Sequence, residues 1–248
     1  MPELPDLQVF SRNLEKQLRG KKLKKLDILY DRKLKTSKAR VKKALEDTVL
    51  ERVYRSGKEL RFLFSNDRIL GMHLMLRGAL ELFEGKPEQK HAIAALYFED
   101  DIGLVLKDFQ KAAHIQLDPE EKEAPDALSK ELNYPYLKGR LSRTGKPVKT
   151  VIMDQSVIRG IGNAYADEIL WKAGISPFSA SKKIPDTKIR SLVKAIPAVL
   201  KQAEKNILKK DPDRISGELR DFLKIHNAKK KQSPTGALIL HADLNSRK

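Results

Sequence analysis

Cysteine is absent from all 248 residues of the sequence. Disulfide bonds, a thiolate nucleophile and a zinc ion held by thiolates are therefore excluded. The chain also has no apolar run near the ~20 residues that a membrane-spanning helix needs. Its N-terminus lacks the basic stretch and apolar core of a secretory signal, so the sequence predicts a cytoplasmic protein.

Acidic residues are scarce relative to basic ones. The chain has 33 Asp and Glu against 50 Lys and Arg, which gives a net charge of +17. Residues 11–61 carry 18 basic and 7 acidic side chains, residues 137–248 carry 24 and 10, and residues 84–130 carry 6 and 11. A well-solvated surface without a partner is one interpretation. The second interpretation is a polarised surface that binds a nucleic acid, with a nucleoid-associated location. The two basic blocks around an acidic one favour this second interpretation.

The pattern along the chain predicts an α+β protein of two domains. Apolar residues from Leu4 to Leu18 recur at spacings of three and four, which predicts a helix ending near Gly20. Short strand-like stretches fill residues 23–117, with one helix inserted after an N-cap at Thr36 or Ser37. The charged stretch LDPEEKEAPDALS predicts the linker. We expect a β-sandwich domain over 1–124 and a helical domain over 129–248.

The second half of the chain has a mainly helical pattern. KTVIMDQSVIRGIGNAYADEILWKAGISP predicts two helices broken at Gly160–Gly162, the second ending at Gly174. A further helix is expected to start near Pro197 or to bend there. The final residues, about 230–248, predict a β-hairpin with Asp243 and Asn245 near its turn. The two domains should enclose a cleft, a common place for sites.

The first residues carry a possible nucleophile. If Met1 is removed, Pro2 has a free secondary amine, and an α-amine titrates at about 7.7–8.0, so part of it is neutral near pH 7. Attack of that amine on a sugar C1′ gives an iminium ion that can promote elimination. Glu3 could then transfer a proton. Proline and an acid are also common at a helix start, so this pair alone leaves both interpretations open.

GIGNAYADE is typical of a turn that binds phosphate. Its glycines allow close approach of the backbone, and the N-terminus of a helix follows Asn163. Asn163 would either cap that helix or donate its side-chain amide to a phosphate. A simple helix-to-helix turn has the same pattern, although Lys149 and Arg159 are near it in the sequence.

Four stretches resemble one family. MPELP, SGKEL, MHLMLRG and MDQSVIRGIGNAYADEILWKAGISP, in this order, resemble the formamidopyrimidine-DNA glycosylase/endonuclease VIII family over nearly the whole chain. Leu4 resembles the formamidopyrimidine branch. The resemblance implies a helix–two-turn–helix in the second domain and a finger at about 230–248. It also implies that Pro2 is the nucleophile and Glu3 the general acid. It further implies that Lys58 belongs to the catalytic site and contacts the DNA phosphate beside the lesion. The other phosphate-contacting residues that it implies are His73, Lys149, Asn163 and Arg247.

The sequence departs from the family pattern at several places. Asp6 stands where glutamate is usual, and Gln232 and Thr235 stand at cysteine positions, which indicates a zincless finger held by packing. Among the residues that fill the gap left by an extruded base, Leu76 replaces methionine and Gln110 replaces arginine. Alanine at position 112 replaces phenylalanine, so we expect weak or different opposite-base selectivity. A shortened stretch before the finger argues against 8-oxoguanine as the preferred base.

Together these features predict a bifunctional DNA glycosylase and abasic-site lyase of base-excision repair. Its substrate would be double-stranded DNA with oxidised or ring-opened purines or abasic sites. We expect β- then δ-elimination, no metal or organic cofactor, and a monomer. A damaged-DNA-binding relative with weak or no catalysis is the alternative, since Asp6 and the altered wedge could both reduce activity. A third option, a general nucleoid protein, would require only the basic net charge and fits poorly with the motifs.

Overall fold

The computed structural model describes residues 1–242, which form two compact units. Unit 1 contains Met1–Pro2, Asp6–Glu121 and Lys210–Glu218. Unit 2 contains Glu3–Pro5, Lys122–Lys209 and the described residues from Leu219 onward. The units are therefore discontinuous in sequence, and the domain bounds of 1–124 and 129–248 stay a prediction. The expected α+β class with two units is confirmed.

The first helix follows from its apolar spacing. Helix α1 runs over Leu4–Leu18, and Leu7, Phe10, Leu14 and Leu18 are all buried. The helix ends two residues before Gly20, whose φ of 82° lies in the left-handed region that favours glycine. Its predicted end near Gly20 is confirmed.

Unit 1 contains two four-stranded antiparallel sheets. Their strands are β1 (Leu23–Ile28), β2 (Leu50–Ser56), β3 (Glu59–Phe64), β4 (Ile69–His73), β5 (Ala79–Glu84), β6 (Ala92–Phe98), β7 (Ile102–Lys107) and β8 (His114–Leu117). The strand orders are β1-β6-β7-β5 and β2-β3-β4-β8. Helix α2 (Lys38–Leu45) lies between β1 and β2, and Ser37 rather than Thr36 is its N-cap.

The strand pattern identified most of these elements. Strand β6 reads AIAALYF and all but Tyr97 of it is buried, so its long apolar run reflects burial on both faces. Strand β2 alternates apolar and charged residues only loosely, and β8 has four residues. Neither was among the strand-like stretches of the sequence, because such short or charged segments depend on neighbouring strands for their stability.

Unit 2 is helical. It contains α3 (Tyr134–Ser142), α4 (Val148–Met153), α5 (Asn163–Ala173) and α6 (Asp186–Lys210). Helix α5 ends at Gly174, whose φ of 64° closes it as predicted. Helix α6 begins eleven residues before Pro197 and passes through it, so the expected start near Pro197 is wrong. Helix α6 starts instead directly after Pro185. Helix α3 was not expected from the pattern, since it buries only Leu137 and Leu141.

The end of the described chain forms a tight turn. Gln232 and Leu238 make an isolated antiparallel bridge, and the Ser233 N–H donates to the Ala237 carbonyl at 2.8 Å. Asp243 and Asn245, expected near the hairpin turn, lie outside the described residues, as does Arg247. Leu238 is 72% exposed, so burial of its side chain does not hold this part of the predicted finger in place.

Candidate nucleic-acid repair site

Glu3 is the best-defined predicted site residue. It is buried, and its carboxylate accepts hydrogen bonds from three backbone N–H groups at the start of α5. The Gly162 N–H lies 2.7 Å from Oε2, the Ala164 N–H 3.0 Å from Oε1 and the Tyr165 N–H 3.4 Å from Oε2. The first N–H groups of a helix lack internal partners and attract negative charge, so an acid is favoured there. The side chain of Glu3 thus caps a helix that begins 160 residues later in the sequence.

The glycines of GIGNAYADE make room for this contact. A Cβ added to Gly162 would lie 2.4 Å from the Glu3 Cδ, and a Cβ added to Gly160 would lie 2.6 Å from a Leu4 methyl carbon. The Leu4 N–H also donates to the Gly160 carbonyl at 3.2 Å. The turn therefore holds MPELP through its backbone. Three N–H groups at this turn, those of Gly162, Ala164 and Tyr165, are bonded to Glu3, and the expectation that the turn binds a phosphate stays a prediction.

Asn163 is the first residue of α5, and Gly162 is the N-cap. Of the two roles considered for Asn163, capping is therefore wrong. Donation of its amide to a phosphate stays a prediction.

Pro2 precedes Glu3 directly in the chain and is buried. The α-ammonium group of Met1 forms an ion pair with Glu218. With Met1 attached, the Pro2 nitrogen is a tertiary amide without a nucleophilic lone pair. The nucleophile predicted from the sequence consequently exists only in a chain from which Met1 has been removed. Asp6, in the first turn of α1, is completely buried.

His73 ends β4 and lies opposite His114 at the start of β8. Their rings are stacked, with centroids 5.5 Å apart and planes 2° from parallel. The Met75 N–H donates to the His73 Nδ1 at 3.0 Å, which places the proton of a neutral ring on Nε2. A ring held this way has the donor that a phosphate contact requires, and that role stays a prediction.

Lys58 follows Gly57 in the turn between β2 and β3 and is half-buried. The φ of 59° at Gly57 lies in the left-handed region, which glycine adopts without steric cost. The turn presents Lys58 at the end of the sheet, and its contact with DNA beside a lesion stays a prediction.

Lys149 lies in the interior of unit 2. Its Nζ is 2.6 Å from the Asp167 Oδ1, and only 6% of its side chain is exposed. The other carboxylate oxygen of Asp167 lies 2.8 Å from the His226 Nδ1. Contact of Lys149 with a phosphate stays a prediction, and it requires the ammonium group to turn away from Asp167.

Asp167 and Glu168, the two acids of NAYADE, have a structural role that the sequence did not indicate. Glu168 is buried, and its Oε1 accepts from the Ile225 N–H at 2.6 Å and the His226 N–H at 2.9 Å. Asp167 and Glu168 thereby tether the segment that leads to the predicted finger. Only the position of two consecutive acids inside an otherwise apolar helix could have suggested this role.

The two predicted void-filling residues lie on exposed loops of unit 1. Leu76 follows β4 and is 62% exposed, and Gln110 follows β7. Asp108 shapes the second loop, since its carboxylate accepts from the N–H groups of Gln110, Ala112 and Ala113 at 2.9, 2.7 and 2.7 Å. Both loops can therefore present side chains to a ligand, as filling a gap in DNA would require.

The described residues, 1–242, show neither a metal-binding cluster nor a membrane-spanning helix. In that range, no group of three or more His, Asp and Glu side chains is arranged to hold a metal ion. No helix in the same range is long and apolar enough to cross a membrane.

The comparisons with known proteins agree with this arrangement of motifs. Residues 1–115 match the formamidopyrimidine-DNA glycosylase N-terminal domain, and residues 124–211 match the formamidopyrimidine-DNA glycosylase H2TH domain. The chain is 31% identical over 213 residues to the formamidopyrimidine-DNA glycosylase of Streptococcus pneumoniae, covering 82% of this chain and 77% of that protein. It is 31% identical to the enzyme of the same name from Lactobacillus gasseri, covering 79% and 75%.

Solved structures show the same fold. The Lactococcus lactis Fpg in complex with DNA containing an abasic site matches with a TM-score of 0.88 at 25% identity, covering 99% of this chain and 96% of that one. The Lactococcus lactis Fpg with DNA containing FAPY-dG matches with a TM-score of 0.87 at 26% identity and the same coverage. The chain belongs to the formamidopyrimidine-DNA glycosylase family.

Proposed function

We propose that this protein is a base-excision repair DNA glycosylase and abasic-site lyase that uses the Pro2 amine as its nucleophile. The observation that carries the proposal is the contact between Glu3 and the start of α5, with a Gly162 N–H to Oε2 distance of 2.7 Å. Two motifs 159 residues apart meet in that contact. This contact holds Glu3 in place. Glu3 directly follows Pro2, and the Cα atoms of consecutive residues are only about 3.8 Å apart, so the acid lies close to the proposed nucleophile.

The proposed reaction begins with attack of the neutral Pro2 nitrogen on C1′ of the damaged nucleotide. The bond from C1′ to the base breaks, and the Glu3 carboxylate takes the proton that the attacking Pro2 nitrogen releases and passes it to the leaving base. The C1′–O4′ bond of the sugar then breaks and O4′ takes a proton from water, which leaves an iminium ion between Pro2 and C1′. The iminium ion makes the C2′ proton acidic, and loss of that proton expels the 3′ phosphate by β-elimination. Loss of the C4′ proton from the conjugated iminium ion then expels the 5′ phosphate by δ-elimination. Water finally releases Pro2 from the sugar fragment.

The substrate is damaged double-stranded DNA. The family relatives are glycosylases, and the solved Lactococcus lactis complexes contain abasic-site and FAPY-dG DNA. We propose ring-opened or oxidised purines and abasic sites as substrates and place 8-oxoguanine lower, because of the short segment between α6 and the turn at Ser233. A nucleoid-associated location in the cytoplasm is part of this proposal. The alternative of a protein that only binds damaged DNA is not favoured by these relatives.

A trapping experiment tests the proposal. The protein is incubated with abasic-site DNA and borohydride, which reduces the iminium ion to a stable covalent adduct. Mass spectrometry of the adduct and of the free protein should show that Met1 is absent and that the DNA is joined to Pro2. Pro2→Gly should reduce trapping sharply.

Two results would count against it. Binding of abasic-site DNA without any adduct would leave the protein without lyase chemistry. Undiminished trapping by Pro2→Gly, abolished when Lys58→Met is added, would assign the amine to Lys58 instead.

A further inference from the structure

Helix α6 carries a stripe of positive charge on its solvent side. Each residue of an α-helix is rotated by about 100° from the one before it. Counted at that angle, five exposed basic side chains fall within a sector of roughly 100°, and we call them the α6 stripe: Arg190, Lys194, Lys201, Lys205 and Lys209. They extend over about 28 Å of the helix axis. The two acids of the helix, Asp186 and Glu204, both fall outside that sector.

The α6 stripe faces away from the core of unit 2. The buried residues of α6 lie on the opposite side of the helix: Ile189, Leu192, Ala195, Ile196, Leu200, Ala203 and Ile207. Most of them belong to the same buried cluster as Leu4 and Ala164. Leu4 adjoins Glu3, and the Ala164 N–H donates to the Glu3 carboxylate at 3.0 Å. The stripe therefore points away from the corner of unit 2 where Glu3 meets α5.

The charges of the α6 stripe are not neutralised by neighbouring acids. Within residues 1–242, the four lysines of the stripe form no ion pair with a carboxylate. Elsewhere on α6 such pairing does occur, since the Lys138 Nζ lies 2.7 Å from the Asp186 Oδ2. Like charges four residues apart destabilise a helix, and Lys201, Lys205 and Lys209 follow one another at that spacing. An anion bound along the stripe would relieve this repulsion.

The composition of this surface favours a nucleic acid over a protein or a membrane. Protein interfaces centre on aromatic or apolar anchors, and a helix that lies on a membrane inserts an apolar face. The large hydrophobic residues that are exposed in the described chain all lie outside α6. Each strand of duplex DNA carries a phosphate about every 3.4 Å along the axis, so the stripe can follow the backbone over about eight base pairs.

We propose that the α6 stripe is a second DNA-binding surface, which holds the phosphate backbone of an undamaged segment while a damaged segment occupies the substrate site. The stripe recognises charge and not base sequence, because contacts to phosphates carry no sequence information. Binding of two segments at once lets the protein pass from one stretch of DNA to another without release into solution. The inference goes beyond the proposed function, since the stripe takes no part in the lyase chemistry.

The test measures whether one protein molecule binds two duplexes. The full-length protein is mixed in equimolar amount with a donor-labelled duplex that contains a tetrahydrofuran abasic analogue. An undamaged duplex with an acceptor label is then titrated in, and energy transfer between the two labels reports that both are bound. If all five cations contact phosphates, the affinity for the second duplex should fall roughly 500-fold between about 50 and 200 mM salt.

The stripe variant is the triple change Lys194→Gln, Lys201→Gln and Lys205→Gln. Glutamine has nearly the helix propensity of lysine, so the helix should be retained. Energy transfer should be lost at about 200 mM salt, and the remaining affinity for the second duplex should fall only about tenfold over the same range. The matched control removes three exposed lysines of unit 2 outside α6, and it should behave as the wild type: Lys130→Gln, Lys182→Gln and Lys183→Gln.

Several outcomes would overturn the second surface. Absence of energy transfer with the wild type would do so, as would equal energy transfer with the stripe variant and the control. If the stripe variant binds the abasic-analogue duplex alone more weakly than the control does, the stripe belongs to the substrate site instead. Binding to phosphatidylserine vesicles that the stripe variant loses, with its energy transfer intact, would assign the stripe to a membrane.

The lyase proposal is tested separately from this surface. The stripe variant should form the borohydride adduct with abasic-site DNA as the wild type does, because the stripe points away from Glu3. Failure of the wild type to form that adduct would overturn the proposed lyase, and the energy transfer would still test the second surface.

Discussion

Replacement of Gly162 by alanine tests the contact between Glu3 and α5. The new Cβ would lie 2.4 Å from the Glu3 Cδ and 2.6 Å from its nearer carboxylate oxygen. An ordinary contact needs at least 3.4 Å, so the carboxylate must move by about 1 Å. The φ of −124° at Gly162 is open to alanine, which leaves this clash as the main effect.

The magnitude follows from the bonds that the movement disturbs. Two of the three N–H contacts to Glu3 are 3.0 Å or shorter. Hydrogen bonds to a charged group contribute about 1.5–3 kcal/mol each, so their disruption should cost roughly 2–4 kcal/mol of unfolding free energy. That corresponds to a fall in Tm of about 5–15 °C for a chain of this size. Displacement of a catalytic group by 1 Å can also reduce a rate about 100-fold.

Gly139→Ala is the matched control for this prediction. Gly139 lies inside α3 in the same unit, and a Cβ there meets nothing within 4 Å. Alanine in a helix should be neutral or stabilise by about 0.5–1 kcal/mol. The assays are thermal unfolding and the rate of borohydride trapping. A Gly162→Ala protein as stable and as reactive as Gly139→Ala would refute the reasoning.

Two further predictions concern unit 2. The Ser156 hydroxyl and N–H donate to Asp154 at 2.7 and 2.9 Å and lower the pKa of that carboxyl below its usual range. Its stabilising effect is therefore complete above the unfolded pKa of about 3.9 and is lost as pH falls through the folded value. The urea midpoint of Asp154→Asn should fall less steeply below pH 4 than that of the wild type, and an identical fall would contradict the assignment. Glu168→Ala should speed tryptic cleavage at Lys229–Lys231 roughly tenfold to a hundredfold, because the Ile225 and His226 N–H groups lose their acceptor. The exposed Glu131→Ala should leave cleavage unchanged, and equal rates for the two variants would exclude the tether.

Local signals predicted much of the fold. Ser37 and Gly174 delimit α2 and α5 as their residue types suggest, because caps act within one turn of a helix. Helix α6 shows the limit of such signals. Proline was expected to begin or bend it, yet the helix starts at Asp186 and buries Leu192, Ile196 and Leu200 on both sides of Pro197. The packing of that apolar stripe outweighs one missing hydrogen bond.

The site was predictable in its residue types but not in its contacts. MPELP and GIGNAYADE indicated Pro2, Glu3 and Asn163, and the family comparison agrees with those motifs. The sequence could not show that Glu3 caps α5 in place of Asn163, or that Lys149 is buried against Asp167. Both contacts join elements distant along the chain, and side-chain direction at such distances depends on how the elements pack.

The sequence alone determined the absence of thiolate chemistry, the basic charge, the helix boundaries set by caps, and the family. These properties depend on composition or on neighbours within a few residues. Tertiary structure decided which atoms meet: the Glu3 carboxylate with the Gly162 N–H, and the His73 ring with the His114 ring through the register of β4 and β8. Such meetings follow from the packing of whole elements, so no short stretch of the chain encodes them.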